Sequence, residues 1–295
     1  MSRLTGAVRA YAELSRLSNV PTCLTNVLVG SAIGVASTPS AEIEVLKVVV
    51  LTAAVMLLYV AGMALNDAID VNIDRRERPT RPIPSGRVSL RGAYSYVVVC
   101  MVLGLGLSAL ASMNAVIPAG LLIACIVSYD IAHKKAAASV ILMGGCRGLV
   151  YITAAAAVTP QMDWMITGTL TAAICVYIIV ITIVARVEAS GAAGASRRFA
   201  FLLPVVVLAP AAVVRPLSWT WPSIAGLLVI GWLLHSARHV ARRPLRIQRA
   251  VLAWLAGICL MDAFFLSLLD QPLLAAVAAA SFTLTVWGHR HIVGT

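Results

Sequence analysis

Residues 45–74 of this 295-residue chain read VLKVVVLTAAVMLLYVAGMALNDAIDVNID, an apolar stretch that runs directly into a group of acidic side chains. A transmembrane helix needs about 20 mainly apolar residues to cross about 30 Å of hydrocarbon, and residues 45–66 satisfy that length. The acids follow where such a helix would leave the membrane. This stretch therefore predicts a membrane-spanning helix with a polar cluster at its end.

The rest of the chain has the same apolar character. Hydrophobic residues make up 60% of it and charged residues 12%, whereas a soluble globular chain is about half apolar and about a quarter charged. This composition excludes a water-soluble enzyme and a disordered chain. Candidate spans lie near residues 20–37, 45–66, 92–112, 115–131, 138–157, 164–185, 198–214, 221–237, 248–269 and 272–288. We expect an all-α, polytopic transmembrane bundle of nine or ten spans, a single integral-membrane domain over residues 1–295, with residues 1–19 as an amphipathic surface helix.

The positive charge is distributed according to topology. Lys and Arg number 23 against 12 for Asp and Glu, a net charge of +11. The basic residues are concentrated in alternate loops, at 75–91, 134–135, 186–198 and 238–249. Basic loops of membrane proteins face the cytoplasm, so we expect an inner-membrane protein with a cytoplasmic N-terminus and no nucleic-acid partner.

The acidic cluster has the residue types of a magnesium site. At about 100° per residue, Asn66, Asp70 and Asp74 would share one helix face, with Asp67 to the side. Closely spaced carboxylates repel one another unless a cation lies between them, and Mg²⁺ binds through one or two carboxylates plus substrate phosphates. The alternative is a solvated helix end that the following arginines neutralise.

A basic loop follows the acids, RRERPTRPIPSGR at residues 75–87. Its prolines and glycine cannot continue the helix and predict a stiff, extended loop. Guanidinium groups beside metal-binding carboxylates are what a magnesium diphosphate needs.

These two segments resemble the UbiA superfamily of intramembrane prenyltransferases. The pattern Asn66-Asp67-x-x-Asp70-x-x-x-Asp74 is similar to its first aspartate-rich motif, and 78–86 (RPTRPIPSG) to the loop after it. Weaker similarity covers Pro21-Thr22, Tyr129 followed by His133-Lys134-Lys135, and 143–148 (MGGCRG), which contains Arg147. Thr25-Asn26, the later Gly30 and the single Glu188 resemble the EboC-like branch in particular.

The resemblance implies a helical bundle around a lipid-open cavity and a Mg²⁺-dependent transfer of a prenyl group. The donor is an isoprenoid diphosphate and the acceptor an aromatic or other small molecule. It implies metal ligation by Asn66, Asp67, Asp70, Asp74 and Glu188. It implies substrate binding by Asn26, Arg78, Arg81, Lys134 and Arg147. It implies catalytic roles for Asp70, Tyr129 and Lys134.

One departure keeps other functions open. The family's second acidic motif usually has two acids, whereas residues 184–191 (VARVEASG) contain only Glu188. Glu188 either completes the metal site or pairs with an arginine such as Arg186. The alternatives are a polyprenyl-phosphate phosphosugar transferase and a non-catalytic lipid-binding or transport protein.

Arg147 and Asp262 lie within spans, where charge is costly, and for Asp262 helix packing and a proton-coupled role both stay open.

Overall fold

The computed structural model describes residues 2–38, 40–131, 137–190, 200–215, 221–241 and 246–291. Within these ranges the regular elements are all helical. The α-helices are α1 (Ser2–Leu14), α2 (Val20–Ser37), α3 (Val45–Ile69), α4 (Val71–Glu77), α5 (Leu90–Ala111), α6 (Val116–Ile131), α7 (Ala137–Val158), α8 (Trp164–Ser190), α9 (Leu202–Leu208), α10 (Trp221–Ala241), α11 (Ile247–Leu268) and α12 (Pro272–His291). Short 3₁₀ turns at Leu17–Asn19, Met113–Ala115 and Ala209–Ala212 extend α2, α6 and α9.

The predicted polytopic bundle is confirmed. In the described part of the chain, nine helices are long and apolar enough to cross a membrane, beginning with Leu17–Ser37 and ending with Pro272–Arg290. The tenth candidate, 198–214, contains the shorter apolar helix Leu202–Ala212. The ion pair between Arg215 and Asp270 (2.9 Å) places the end of this segment beside the turn after α11.

Helix α11 lies at the centre of the bundle. It packs against α10, α12, α2 and α8, and its aromatic side chains Trp254, Phe264 and Phe265 are completely buried. The polar residue Asp262 is buried on the same helix. The centre of the fold therefore carries a charge-bearing side chain.

Helices α2 and α7 pack closely because small residues face each other. A Cβ atom added to Gly30 would lie 2.5 Å from the backbone oxygen of Tyr151 and 2.6 Å from Cβ of Ala154. Small residues let helix backbones approach in this way in membrane proteins. This close packing brings Asn26 on α2 next to Arg147 on α7.

Helix α1 lies within residues 1–19, the segment for which an amphipathic surface helix is predicted. Ala10 and Leu14 are buried, whereas the side chain of Arg9 is 76% exposed. Tyr11 contacts the ring of Tyr96 on α5, with ring centroids 5.0 Å apart. Helix α1 is thereby held against the body of the bundle.

The loop after α4 is compact rather than extended, which corrects the expectation from its prolines. Backbone bonds from Arg81 to Arg78, from Ser85 to Arg81 and from Gly86 to Ile83 (3.0–3.1 Å) fold it into successive turns. The buried side chains of Ile83 and Val88 account for the difference, because burying them draws the loop onto the bundle. Gly86 has φ +74°, a conformation that favours glycine.

Candidate functional site

A cavity of about 590 Å³ opens between α2, α3, α6, α7, α8 and α11. Its polar wall is formed by Arg16, Asn19, Asn66, Tyr129, Asp130, Arg147 and Arg186. Its remaining wall is largely apolar and includes Val55, Leu58, Met63, Leu122, Ile126, Val150, Ile178, Ile181, Val251 and Leu255. The cavity can therefore accept a molecule with a charged head and an apolar tail.

The helix that carries the acidic cluster is interrupted at Asp70. Helix α3 ends at Ile69, Asp70 has φ −80° and ψ 3°, and α4 begins at Val71. The backbone bonds from Asp70 to Asn66 (3.0 Å) and from Asp74 to Asp70 (2.9 Å) continue across the break. The cluster thus stays within one local unit although the regular helix is interrupted at Asp70.

Within the cluster, the acids that share a partner are Asp67 and Asp74. One Nη atom of Arg81 lies 3.2 Å from a carboxylate oxygen of Asp67 and 2.7 Å from one of Asp74. Arg16 lies 2.9 Å from the same oxygen of Asp67. Both carboxylates are buried, whereas Asp70 is intermediate in exposure. Asp67 and Asp74 are seven residues apart, close to two helical turns, and both face Arg81. Asp67 therefore shares a partner with Asp74, whereas the sequence pattern placed it to the side of the face of Asn66, Asp70 and Asp74.

Asn66 faces the cavity and binds a residue that the sequence reading did not select. Its Nδ2 donates to Oδ1 of Asp130 at 2.8 Å, and both residues line the cavity beside Tyr129. Asp130 is buried at the end of the apolar helix α6. An acid at the end of a span, next to a selected tyrosine, is the signal that could have identified it.

Two arginines at the cavity were also missed as site residues. The backbone of Arg16 has φ 44° and ψ 54°, a left-handed conformation that is uncommon for residues other than glycine. The turn at Arg16 lies between α1 and α2, and the side chain of Arg16 lines the cavity. Arg186, on α8, lines the cavity and donates to Oγ of Ser139. The sequence signal for Arg186 was its position beside Glu188.

The structure places Arg147 in the cavity wall and Asn26 behind it. Nη1 of Arg147 donates to Oδ1 of Asn26 at 2.9 Å and to Oγ1 of Thr22 at 3.1 Å. Its guanidinium carbon lies 5.9 Å from the ring centroid of Tyr59, within cation–π distance. Arg147 is therefore held by three residues and still borders the cavity.

Of the other predicted site residues, two lie outside the cavity lining and two are not described by the structure. Arg78 is exposed at the end of α4, and neither Arg78 nor Arg81 belongs to the cavity lining. Lys134 lies outside the described residues. Glu188 lies within α8, but its side chain is outside the described part of the structure.

The oxygen-bearing side chains near the polar wall suit a metal ion that obtains its remaining ligands from the substrate. Over the described ranges, no group of three or more His, Cys, Asp or Glu side chains is arranged to hold a metal. Asp67 and Asp74 already accept from arginines. Mg²⁺ usually takes one or two protein carboxylates and obtains its other ligands from phosphates and water. Asn66, Asp70 and Asp130 are oxygen-bearing residues that fit this requirement.

The family model and the curated relatives both relate this chain to intramembrane prenyltransferases. The model of the UbiA prenyltransferase family matches residues 24–250. The digeranylgeranylglyceryl phosphate synthase of Methanocaldococcus jannaschii is 35% identical over 101 residues, 34% of this chain and 34% of that protein. The first three curated relatives are matched over only 34–45% of their length. The comparisons do not test the EboC-like branch, which stays a prediction.

Solved structures share the fold. The apo structure of a UbiA homolog from Aeropyrum pernix K1 has a TM-score of 0.66 at 18% identity, covering 85% of this chain and 97% of that one. A UbiA homolog from Archaeoglobus fulgidus bound to GPP and Mg²⁺ has a TM-score of 0.64 at 15% identity, covering 88% and 99%. At these identities the likeness concerns the arrangement of helices.

Proposed function

Because the chain belongs to the UbiA prenyltransferase family, we propose that this integral membrane protein moves a prenyl group from an isoprenoid diphosphate to a small acceptor. The observation that carries the proposal is the cavity of about 590 Å³, with arginines and acids in its polar wall and aliphatic side chains elsewhere. A prenyl diphosphate has the same division between charged head and apolar tail. The names of the curated relatives support a synthase over a transporter or a phosphosugar transferase.

The diphosphate would lie at the polar wall. Arg16, Arg147 and Arg186 offer guanidinium groups, which match phosphate oxygens in geometry and charge. Lys134 is proposed to add a fourth cation, and Tyr129 to contact the reacting end of the donor. Arg81 is proposed to act indirectly, since it holds Asp67 and Asp74 in place.

The metal proposed for this site is Mg²⁺. Asn66 and Asp70 would be the residues that hold it, with Asp130 adjacent and Glu188 from α8 as a further ligand. The A. fulgidus homolog was solved with GPP and Mg²⁺, which supports this choice. Mg²⁺ would supply Lewis-acid stabilisation of the departing diphosphate. The chain itself would orient the donor, neutralise the diphosphate with arginines and keep water away from the reactive carbon by its apolar wall.

For the acceptor, the names of the curated relatives favour a molecule that carries phosphate. Curated relatives are named for a glyceryl phosphate product. We therefore propose a glyceryl phosphate lipid as the acceptor, with an aromatic molecule as the alternative to be compared.

The site would face the cytoplasm, with the chain in the cell (inner) membrane. The end of the bundle that carries Arg16, Arg81 and the acids also carries the exposed arginines of α4, Arg75 and Arg76. An end rich in arginine is retained on the cytoplasmic side. Soluble phosphorylated substrates would then reach the polar wall directly.

The test uses the full chain in lipid nanodiscs with Mg²⁺ and labelled prenyl diphosphates of several lengths. Each donor is incubated alone, with a glyceryl phosphate and with an aromatic acceptor, and pyrophosphate release and labelled lipids are measured. We expect release only when an acceptor is present, with Arg147→Met as an inactive control. Binding without release under every condition would contradict the proposal and favour a lipid-binding protein.

A further inference from the structure

A second polar cluster lies behind the cavity wall, at the contact of α2, α7 and α11. Nδ2 of Asn26 donates to Oδ2 of Asp262 at 2.8 Å, and the hydroxyl of Tyr151 donates to Oδ1 of the same carboxylate. All three side chains are completely buried. Asp262 does not line the cavity, so it cannot contact a substrate bound there.

Asn26 connects this carboxylate to the cavity. Its amide accepts from Arg147 through Oδ1 (2.9 Å) and donates to Asp262 through Nδ2 (2.8 Å). A carboxylate can only accept, so Asp262 requires the nitrogen of the amide and leaves the oxygen for Arg147. The orientation of Asn26, and with it the position of the guanidinium, therefore follows from Asp262.

The charge of Arg147 also indicates a link to Asp262. No carboxylate of the described residues lies within ion-pair distance of Arg147, and charge within a membrane span is costly unless it is compensated. Asp262 is the acidic residue that is joined to Arg147, through a single neutral side chain. The two charges cancel within one cluster, which lowers the cost of burying each of them.

We propose that Asp262 is a positioning residue for Arg147, acting through Asn26 and as its counter-charge, and thereby sets the affinity of the cavity for an anionic head group. The second half of this statement rests on the proposed function, whereas the pairing of the two charges does not. Asp262 itself takes no part in the transfer step. Tyr151 fixes the carboxylate from the other side.

The pairing is tested by a thermal unfolding cycle on the full chain in nanodiscs without ligand. Asp262→Asn keeps the shape and removes the charge, so in the wild-type background it leaves Arg147 uncompensated and lowers the melting temperature. In the Arg147→Met background the carboxylate is the uncompensated charge, so the same substitution leaves the melting temperature unchanged or raises it. An equal drop in both backgrounds overturns the proposal, because a purely local hydrogen-bond role would not depend on Arg147.

A folding failure of Asp262→Asn alone does not prevent a decision. The double variant Asp262→Asn/Arg147→Met removes both charges, and recovery of its folding supports the pairing, whereas its failure to fold overturns it. The matched control is Ser267→Ala on the same helix, whose hydroxyl donates to the backbone oxygen of Phe264 at 2.6 Å. Its effect on the melting temperature should be the same in both backgrounds.

The consequence for binding is tested with geranylgeranyl diphosphate plus Mg²⁺ and, for comparison, with the alcohol geranylgeraniol. Asp262→Asn should raise Kd for the diphosphate about tenfold and change Kd for the alcohol less than about twofold. In the Arg147→Met background the effect on the diphosphate should disappear. Equal weakening of both ligands, or independent effects of the two substitutions, overturns the positioning role. If the wild-type protein binds neither ligand, the proposed function fails, and the unfolding cycle alone decides the pairing.

Discussion

Arg16 lies 2.9 Å from a carboxylate oxygen of Asp67, although 51 positions separate the two residues in the chain. The contact joins the turn after α1 to the end of α3, at the polar wall of the cavity. Arg81 approaches the same carboxylate from the loop after α4. Asp67 therefore connects three segments of the chain, and this makes it the structural centre of the acidic cluster.

The first prediction follows from that position. Asp67→Asn keeps the shape of the side chain but removes the charge that two arginines face. The Asp67 side chain is 7% exposed and its partners 22–25%, so the lost pairing is only partly screened by solvent. We expect the free energy of unfolding to fall by about 2 kcal/mol, measured by chemical unfolding in detergent.

The matched control for Asp67 is Glu44→Gln. Glu44 pairs with Lys47 at 2.6 Å, but its side chain is 60% exposed, and exposed pairs contribute at most about 1 kcal/mol. A similar small loss for both variants would show that the Asp67 pairs are not structurally important. Such a result would agree with the predicted position of Asp67 to the side of the acidic face.

The second prediction concerns the packing of α2 against α7. Gly30→Ala would place a Cβ atom 2.5 Å from a backbone oxygen of Tyr151, and a helix backbone cannot move without its neighbours. We expect a loss of about 2 kcal/mol in the free energy of unfolding. Binding of the diphosphate should weaken as well, because the contact between Asn26 and Arg147 depends on the same helix pair.

Gly106 on α5 provides the comparison for Gly30. No atom lies within 4 Å of a Cβ added there, so Gly106→Ala should stay within about 1 kcal/mol of the wild-type protein. If both alanine variants unfold alike, the stability of the protein does not depend on close contact of α2 and α7.

The spans were predictable because hydropathy is a local property that accumulates along a segment. Residues 45–66 needed no tertiary information to be recognised, and they correspond to α3. The tenth candidate at 198–214 shows the limit of the method. Its apolar composition resembles a span, whereas the helix that forms there, Leu202–Ala212, is short.

The site was predictable only in its residue types. The sequence indicated acids and arginines near one end of the bundle, and Tyr129, Asn66 and Arg147 do line the cavity. Which acid meets which arginine depends on tertiary contacts, as with Arg16 and Asp67. The bond from Asn26 to Asp262 spans 236 positions, and no periodicity in a sequence encodes such a pair.

The third prediction separates metal binding from structure within the acidic cluster. Asp70→Ala removes a proposed Mg²⁺ ligand that is only partly buried, so turnover should fall on the order of 100-fold or more with little loss of stability. Asp74→Ala removes a buried partner of Arg81 and should lower the free energy of unfolding as well. Turnover is measured over a range of Mg²⁺ concentrations, and near-native activity of Asp70→Ala would contradict the metal assignment.

The fourth prediction concerns Glu188, which the sequence singles out in place of a two-acid motif. Glu188→Gln keeps the shape of the side chain and removes one charge, so it should weaken the Mg²⁺ dependence of diphosphate binding more than it weakens folding. A shift of about tenfold in the Mg²⁺ midpoint is expected if Glu188 is a ligand. An unchanged midpoint would mark it as a structural residue.

The last prediction distinguishes two roles for Arg81. If Arg81 received the diphosphate directly, Arg81→Lys would weaken diphosphate binding and leave the acidic cluster stable. The contacts of Arg81 with Asp67 and Asp74 indicate the other role. One Nη atom of Arg81 makes both contacts, and the ammonium of lysine ends one bond short of that position. We therefore expect Arg81→Lys to lower the free energy of unfolding by about 1 kcal/mol and to reduce turnover through the displaced acids. Affinity for the unphosphorylated prenyl alcohol should not change.

Arg78→Lys, at an exposed position of the same loop, is the matched control and should leave stability unaltered. A loss of diphosphate affinity by Arg81→Lys without any loss of stability would show that Arg81 binds substrate after all.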